Sequence, residues 1–176
     1  MLRKVMSSAN KLSLWLLLAM IVTACQSQRQ NELFFETIEA ENEAAPGGEY
    51  YKEQEPKIVI VAKLEEISNL NSWISSKALD QLGRLDFESY FAVTVFQGQK
   101  PTNRYGVEIR DVTLEDSKVT ISAQFLERAA DEEAADEVTS PYHLIQVQKN
   151  SMRGRSITFE LVVSGTIVAS VSHYIP

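Results

Sequence analysis

The chain holds few residues that could perform acid–base or nucleophilic chemistry. His143 and His173 are its only histidines, and Cys25 is its only cysteine. No serine lies in a G-x-S-x-G elbow, and the single S-x-x-K runs from Ser8 to Lys11, ahead of any folded domain. Zinc-protease, phosphate-loop and dinucleotide motifs are absent from the sequence. A Ser/His/acid site would converge only in space, so an envelope hydrolase stays open as an alternative.

Both histidines fall on predicted strands. His143 shares a strand face with Ile145 and Val147, and His173 shares one with Val171. We therefore expect core or edge positions for both rings. Two histidines alone do not complete a tetrahedral zinc shell, so we predict no metal, no cofactor and no enzymatic activity.

Cys25 lies where a lipid could be attached. Basic residues open the chain, and the apolar run 12–24 is shorter than the ~20 residues of a membrane-spanning helix. Such a run is typical of a secretory signal peptide. The residues directly before the cysteine are Val22, Thr23 and Ala24. This arrangement resembles the bacterial lipobox, which predicts a signal peptide over 1–24 and a diacylglyceryl group on Cys25.

A lipidated cysteine would decide where the protein is found. Stable anchoring needs two acyl chains, each buried methylene contributing about 0.8 kcal/mol, and a diacylglyceryl group supplies two. We expect an extracytoplasmic protein held on the cell membrane or the outer membrane, and Gln26 gives no signal for inner-membrane retention. The alternatives are a plain signal peptide with an incidental Cys25, and an uncleaved signal anchor.

The charge of the chain argues against nucleic-acid binding. The full sequence carries 17 basic and 24 acidic side chains, a net charge of −7. Loss of the three cations in segment 1–24 would lower the net charge to −10. Phosphate binding needs clustered Lys and Arg. The one basic cluster, Lys149, Arg153 and Arg155, is expected to be a solvated turn.

Two acidic segments are predicted outside regular structure. Residues 25–57 contain few apolar side chains to offset chain entropy, which indicates a tether between the lipid and a folded domain. Leu33, Phe34, Phe35 and Ile38 are the exception; they are expected to dock on the domain or to form a partner-binding stripe. Segment 127–140 is expected to be a solvated loop, with a weak cation site or docking loop as alternatives.

Residues 58–176 have the pattern of a β domain. Period-2 alternation or β-branched runs predict strands over 58–64, 87–97, 107–114, 118–125, 143–149, 157–163 and 166–174. One helix is expected over Ser76–Leu82, ending at Gly83. Strand 87–97 is apolar on both faces and should be central, and a slip at Asp111-Val112 suggests a bulge. The pattern predicts a mostly-β fold, an antiparallel sandwich or rolled sheet of about seven strands with one short helix.

Two stretches within this domain carry a family resemblance. Residues 86–109 read DFESYFAVTVFQGQKPTNRYGVEI, and residues 140–149 read SPYHLIQVQK. In this order they resemble the PrcB C-terminal domain family, named for an accessory lipoprotein subunit of a bacterial surface protease complex. The resemblance covers roughly residues 58–149. It implies a non-catalytic binding or accessory module whose partner is an exported protein, such as a surface protease.

The resemblance points to one loop and includes one departure. The candidate partner-binding loop consists of Gly98, Lys100, Pro101, Thr102, Asn103, Arg104 and Tyr105. Asn103-Arg104 stands where the family usually has Gly-Gly, and arginine tolerates left-handed backbone poorly. If that backbone is strained, Arg104→Gly should stabilise the domain by roughly 1 kcal/mol. A stand-alone, ligand-sensing lipoprotein is the remaining alternative function.

Overall fold

The computed structural model describes residues 31–41, 51–127 and 137–176, and these residues form a mostly-β fold. The sequence prediction of fold class is confirmed, with eight strands in place of seven. The strands are β1 (Phe35–Glu41), β2 (Lys57–Val61), β3 (Tyr90–Phe96), β4 (Tyr105–Glu115), β5 (Lys118–Glu127), β6 (Tyr142–Gln148), β7 (Arg155–Val163) and β8 (Thr166–Ile175). The helix α1 spans Ser76–Leu82, and 3-10 turns cover Leu64–Leu70 and Asn150–Met152.

The strands form two four-stranded sheets that enclose an apolar core. The first sheet has the order β1-β6-β3-β2, and the second has the order β4-β5-β7-β8. Between them lies the inner core, where Phe91 of the first sheet meets Phe159 of the second with ring centroids 5.7 Å apart. Both rings are fully buried, so this contact lies at the centre of the sandwich.

A third layer covers the other face of the first sheet. The segment from Leu64 to Phe87 packs there to form the outer core, to which α1 contributes Ala78 and Leu82. The helix is capped at its N-terminus by Ser75, whose hydroxyl accepts a hydrogen bond from the amide of Ala78 at 3.0 Å. β3 lies between β6 and β2 and is covered on both faces. Its side chains are therefore buried on both sides of the sheet, which explains why its sequence is continuously apolar.

Strand pairing is antiparallel except between β5 and β7. Those two strands run parallel, from Lys118↔Thr158 to Ala123↔Val163. The chain leaves the second sheet after β5, adds β6 to the first sheet and returns, and such a crossover permits parallel pairing. The bulge expected in β4 is present, with the register shifting between Ile109 and Asp111.

The eighth strand comes from the segment assigned to the tether. β1 pairs antiparallel with β6, and Leu33 just before it is buried and donates its amide to the Val112 carbonyl at 2.8 Å. The compact unit therefore starts at Leu33. Periodicity did not mark this strand because a bulge at Ile38 interrupts the alternation.

Several predictions lie outside the described residues. They are the signal peptide over 1–24, the lipobox residues Val22, Thr23 and Ala24, the lipidated Cys25, and positions 128–136 of the acidic segment 127–140. Among the residues that are described, none belongs to a helix with the length and apolar character needed to cross a membrane.

Candidate functional site

The candidate loop begins at a glycine that the fold requires. Gly98 follows β3 with a φ of +87°, and a Cβ built on it would lie 2.1 Å from the backbone oxygen of Gln54. The neighbouring Gln99 amide donates to the Glu53 carbonyl at 2.8 Å. The segment around residues 53–54 therefore packs directly against the start of the loop, and only glycine permits that approach.

The middle of the loop is tied to the segment just before β6. Lys100 and Thr139 exchange two backbone hydrogen bonds, of 2.8 and 2.9 Å, in an isolated bridge. The Thr139 hydroxyl donates to the Thr102 carbonyl at 3.0 Å. Pro101 is the exposed tip, while its neighbours are half-buried. The loop is thus a braced turn with a preset shape.

The end of the loop lines a surface pocket of about 200 Å³. Arg104 and Tyr105 form one side, and the remaining lining comes from Ala40, Glu41, Gly106, Val107 and Leu126. The Tyr105 hydroxyl donates to Glu127 Oε1 at 3.1 Å, and this hydrogen bond raises the pKa of the phenol. Lys100 Nζ lies 5.7 Å from the centre of the Tyr105 ring. Apolar atoms of Ala40, Val107 and Leu126 lie beside Arg104 and Glu41, so the pocket suits an apolar side chain flanked by polar groups.

The expected strain at Asn103-Arg104 is absent. Positive φ angles among described non-glycine residues occur at Ser72, Asp116, Asn150 and Ser164, and neither Asn103 nor Arg104 is one of them. The prediction that Arg104→Gly would relieve strain is therefore wrong. The turn has been reshaped so that two residues with side chains replace the glycines.

The basic cluster is a solvated turn only in part, because Arg153 is exposed and Arg155 half-buried while Lys149 is buried. Lys149 is only 2% exposed, and its ammonium donates to the carbonyl oxygens of Ala62 at 3.1 Å and Pro176 at 3.3 Å. Burial lowers the pKa of Lys149. Arg153 donates to the Glu88 carbonyl, and Arg155 donates to the Asp116 carbonyl at 2.6 Å. These three side chains hold loops together, a role that charge clustering alone does not reveal.

His143 is buried and joins both sheets. The backbone amide of Ile109, on β4, lies 2.8 Å from Nδ1, and Thr37 Oγ1, on β1, lies 2.8 Å from Nε2. A backbone N–H can only donate, so Nδ1 is unprotonated and Nε2 carries the proton that it donates to Thr37. Desolvation lowers the pKa of this imidazole. Nε2 therefore has no lone pair with which to accept a proton from Thr37.

We predict that His143 makes the free energy of unfolding pH-dependent. The folded state keeps the ring neutral, while in the unfolded chain it titrates near 6.5. The unfolded state thus binds more protons, so this stability is present above pH 6.5 and is lost as the pH falls below it. Urea denaturation should show a loss of roughly 1 kcal/mol between pH 7.5 and 5.5 that His143→Gln lacks. Equal pH slopes in both proteins would contradict this.

His173 makes a different contact. Its Nε2 lies 3.1 Å from Glu66 Oε2, and the same carboxylate oxygen accepts the amide of Ala62 at 2.8 Å. Glu66 Oε1 lies 3.9 Å from the ammonium of Lys63. The pair fixes β8 against the turn that follows β2, which is the edge position that the sequence predicted.

Sequence reasoning missed Glu39. This β1 carboxylate is only 8% exposed, and its Oε2 accepts the hydroxyls of Tyr142 at 2.5 Å and Ser75 at 2.6 Å. Lys77 Nζ lies 3.4 Å from the other oxygen. Burial and the bond to Glu39 raise the pKa of Tyr142. Nothing in the acidic sequence around Glu39 distinguishes it from its exposed neighbours.

The described residues contain no group of three or more His, Cys, Asp or Glu arranged to hold a metal ion. A comparison with protein families matches residues 91–148 to the family described as PrcB C-terminal. The match runs from β3 to the end of β6, includes the whole candidate loop, and confirms the resemblance. No curated protein and no solved structure matches the chain.

Proposed function

Residues 91–148 are a PrcB C-terminal family region, and on that premise we propose that the protein is a non-catalytic, lipid-anchored accessory module of an exported protease complex. The family is of the accessory, protease-associated type. The observation that carries the proposal is the braced loop from Gly98 to Tyr105. It lies wholly within the matched region and presents an exposed tip and a pocket.

The size of the pocket favours a protein partner over a sensed small molecule. Its volume of about 200 Å³ is below the ~300–1,000 Å³ typical of small-molecule sites. It suits a single apolar side chain of a partner, with the polar groups of Arg104 and Glu41 beside it. The loop is fixed by backbone hydrogen bonds, so little ordering entropy opposes docking.

The protonation of His143 supports the non-catalytic reading over a hydrolase. A general base must offer a free lone pair to its nucleophile. In His143 that lone pair belongs to Nδ1 and accepts the amide of Ile109, while Nε2 donates to Thr37. The arrangement is that of a structural bridge between sheets.

The proposed anchor lies close to the folded unit along the chain. Seven residues, 26–32, separate Cys25 from Leu33, where the compact unit begins. Even fully extended, that connection reaches roughly 30 Å. A lipid on Cys25 would therefore hold the module near the bilayer surface, where it would meet an exported protease.

We expect Cys25→Ser to release the protein from the membrane fraction. Without the thiol no thioether forms, and the two acyl chains that supply the anchoring energy are lost. Fractionation, palmitate labelling and mass spectrometry of the mature N-terminus measure this. Gln26→Ser is the matched control and should remain lipidated and membrane-bound. A normally processed Cys25→Ser protein that still sediments with membranes would refute lipidation.

We expect Arg104→Glu to abolish capture of the partner by mild cross-linking in intact cells. Charge reversal places a second carboxylate beside Glu41 in the pocket lining and inverts the charge that a partner meets there, so cross-linked yield should fall at least ~10-fold. Arg84→Glu, an exposed arginine beside α1, is the matched control and should leave the yield unchanged.

Two outcomes would overturn the proposal. If the wild-type lipoprotein is recovered alone under conditions that preserve other envelope complexes, it is not an accessory subunit. If Arg104→Glu and Arg84→Glu give equal yields of the same complex, the partner does not dock at this pocket.

A further inference from the structure

β1 is attached to the first sheet through one neighbour. It forms the edge of that sheet and pairs with β6 alone, over six residue positions from Phe35↔Val147 to Glu41↔Tyr142. β6 lies within the family-matched region, whereas β1 lies far outside it. The edge of β6 and the strand that pairs with it thus come from separate parts of the chain. The surface of the protein on which β1 lies, along the edge of β6, is called the groove below.

Four side chains of the folded body, meaning the described residues from Tyr51 onward, donate hydrogen bonds to three side chains of β1. One of these bonds, from Gln146 Nε2 to Glu36 Oε2 at 2.5 Å, lies at the exposed surface. On the inner face, His143 Nε2 donates to Thr37 Oγ1 at 2.8 Å. On the outer face, the hydroxyls of Tyr142 and Ser75 donate to Glu39 Oε2 at 2.5 and 2.6 Å. The ammonium of Lys77 lies 3.4 Å from Glu39 Oε1.

Because of the bulge in β1, this one strand makes side-chain contacts on both faces of the first sheet. The register shifts between Thr37 and Glu39, so these residues contact opposite faces of the sheet although two positions separate them. Thr37 pairs with Ile145 of the inner core, while Glu39 pairs with Leu144 of the outer core. The groove therefore recognises a hydroxyl and a carboxylate at a fixed spacing.

In the side-chain hydrogen bonds between the two, the donors belong to the body and the acceptors belong to the strand. Tyr142 and His143 are buried, and a buried donor without its acceptor is energetically unfavourable. The backbone of β6 likewise gains its outer partner only from β1. Backbone pairing at a sheet edge combined with side-chain pockets is the chemistry of a site that binds extended peptides by strand addition.

We propose that the outer edge of β6 is a peptide-binding site that accepts an extended acidic segment of a partner protein, with β1 as its built-in competitor. The donor-rich groove formed by Lys77, Ser75, Tyr142 and His143 has one ammonium group, on Lys77, and selects a strand carrying a hydroxyl and a carboxylate. β1 also contributes Ala40 and Glu41 to the pocket at the end of the loop, so displacement of β1 would remove part of that lining. The peptide-binding measurement below is read at the β6 edge and needs no docking at the loop, so the two proposals can fail separately.

The connection between β1 and the body sets how strongly the strand competes. Residues 42–50 join Glu41 to Tyr51, and a linker of this length gives an effective concentration of the order of 1 mM. A groove with an intrinsic Kd of about 1 μM would then bind external peptide roughly 1,000-fold more weakly in the intact chain. Weakening the contacts of β1 should restore external binding.

The test measures binding of a fluorescent peptide with the sequence of residues 31–41 to the full mature chain in detergent. Glu39→Gln in the protein weakens the resident strand but not the peptide, and we expect the apparent Kd to fall at least ~10-fold relative to wild type. Glu32→Gln is the matched control, because this exposed carboxylate lies just before β1 and outside its pairing with β6, and it should leave the Kd unchanged. Adding Tyr142→Phe to Glu39→Gln should remove the gain.

A second measurement on the wild-type chain tests the proposal if the Glu39→Gln variant does not fold. A protease site placed within residues 42–50 of the wild-type chain allows the connection to be cut after folding, and the N-terminal fragment should then exchange with excess peptide. The proposal is overturned if folded Glu39→Gln binds the peptide no more tightly, or if the cut fragment leaves only on global unfolding. It is also overturned if Glu39→Gln forms strand-exchanged dimers instead of binding peptide, since the occupant would then be a second copy.

Discussion

Gly98→Ala should lower the free energy of unfolding by about 3 kcal/mol. The backbone at this position has a φ of +87°, where an L side chain costs roughly 1–2 kcal/mol. The added Cβ would lie 2.1 Å from the carbonyl oxygen of Gln54 and 2.6 Å from its carbonyl carbon. Backbone atoms cannot rotate away, so the segment before β2 must move, at a further cost of about 1–3 kcal/mol. Urea denaturation monitored by tryptophan fluorescence measures the change.

The matched control for this prediction is Gly154→Ala. Gly154 also has a positive φ, of +69°, but a Cβ there meets nothing within 4 Å. It should cost about 1 kcal/mol, which is the conformational part alone. If Gly98→Ala costs no more than Gly154→Ala, the close approach of Gln54 to the loop does not exist in solution. Gly98→Ala should also impair partner capture, because the loop would lose its bracing.

Phe159→Ala should lower the free energy of unfolding by about 4 kcal/mol, the largest effect of any change considered. The ring is fully buried at the centre of the inner core and packs edge-on against Phe91 at 5.7 Å. Its removal loses the transfer energy of a phenyl group and leaves a cavity between the sheets, for which 3–5 kcal/mol is typical. Thermal and urea denaturation both measure the loss. Domains are stable by only about 5–15 kcal/mol, so the variant should be close to unfolding at 37 °C.

Phe34→Ala provides the comparison at the surface. Phe34 is 59% exposed, so the same truncation there should change stability by less than about 0.5 kcal/mol. A small effect of Phe159→Ala would mean that the second sheet does not pack on the first as described. A large effect has a consequence for the family region: residues 91–148 require β7, which lies beyond them, to complete their core.

The sequence by itself determined seven strands, the helix and the fold class. Alternation in Val119, Ile121 and Ala123 assigns one face of β5 to the core, and no other register buries those side chains. The helix Ser76–Leu82 ends at Gly83, as predicted, and this stop signal acts within one turn of the chain. The loop residues from Gly98 to Tyr105 were also identified, because the resemblance lay in contiguous sequence. Such features depend on neighbours along the chain.

Only the tertiary structure decided the roles of the polar residues that are buried. Lys149 and Glu39 have ordinary charged surroundings in sequence, and their burial depends on partners that lie 27 to 103 residues away. The parallel pairing of β5 with β7 and the capture of β1 by β6 depend likewise on which edges the fold leaves open. A buried charge is tolerated only where distant donors or acceptors converge on it. That convergence is a property of the packed sheets, and no local pattern of residues records it.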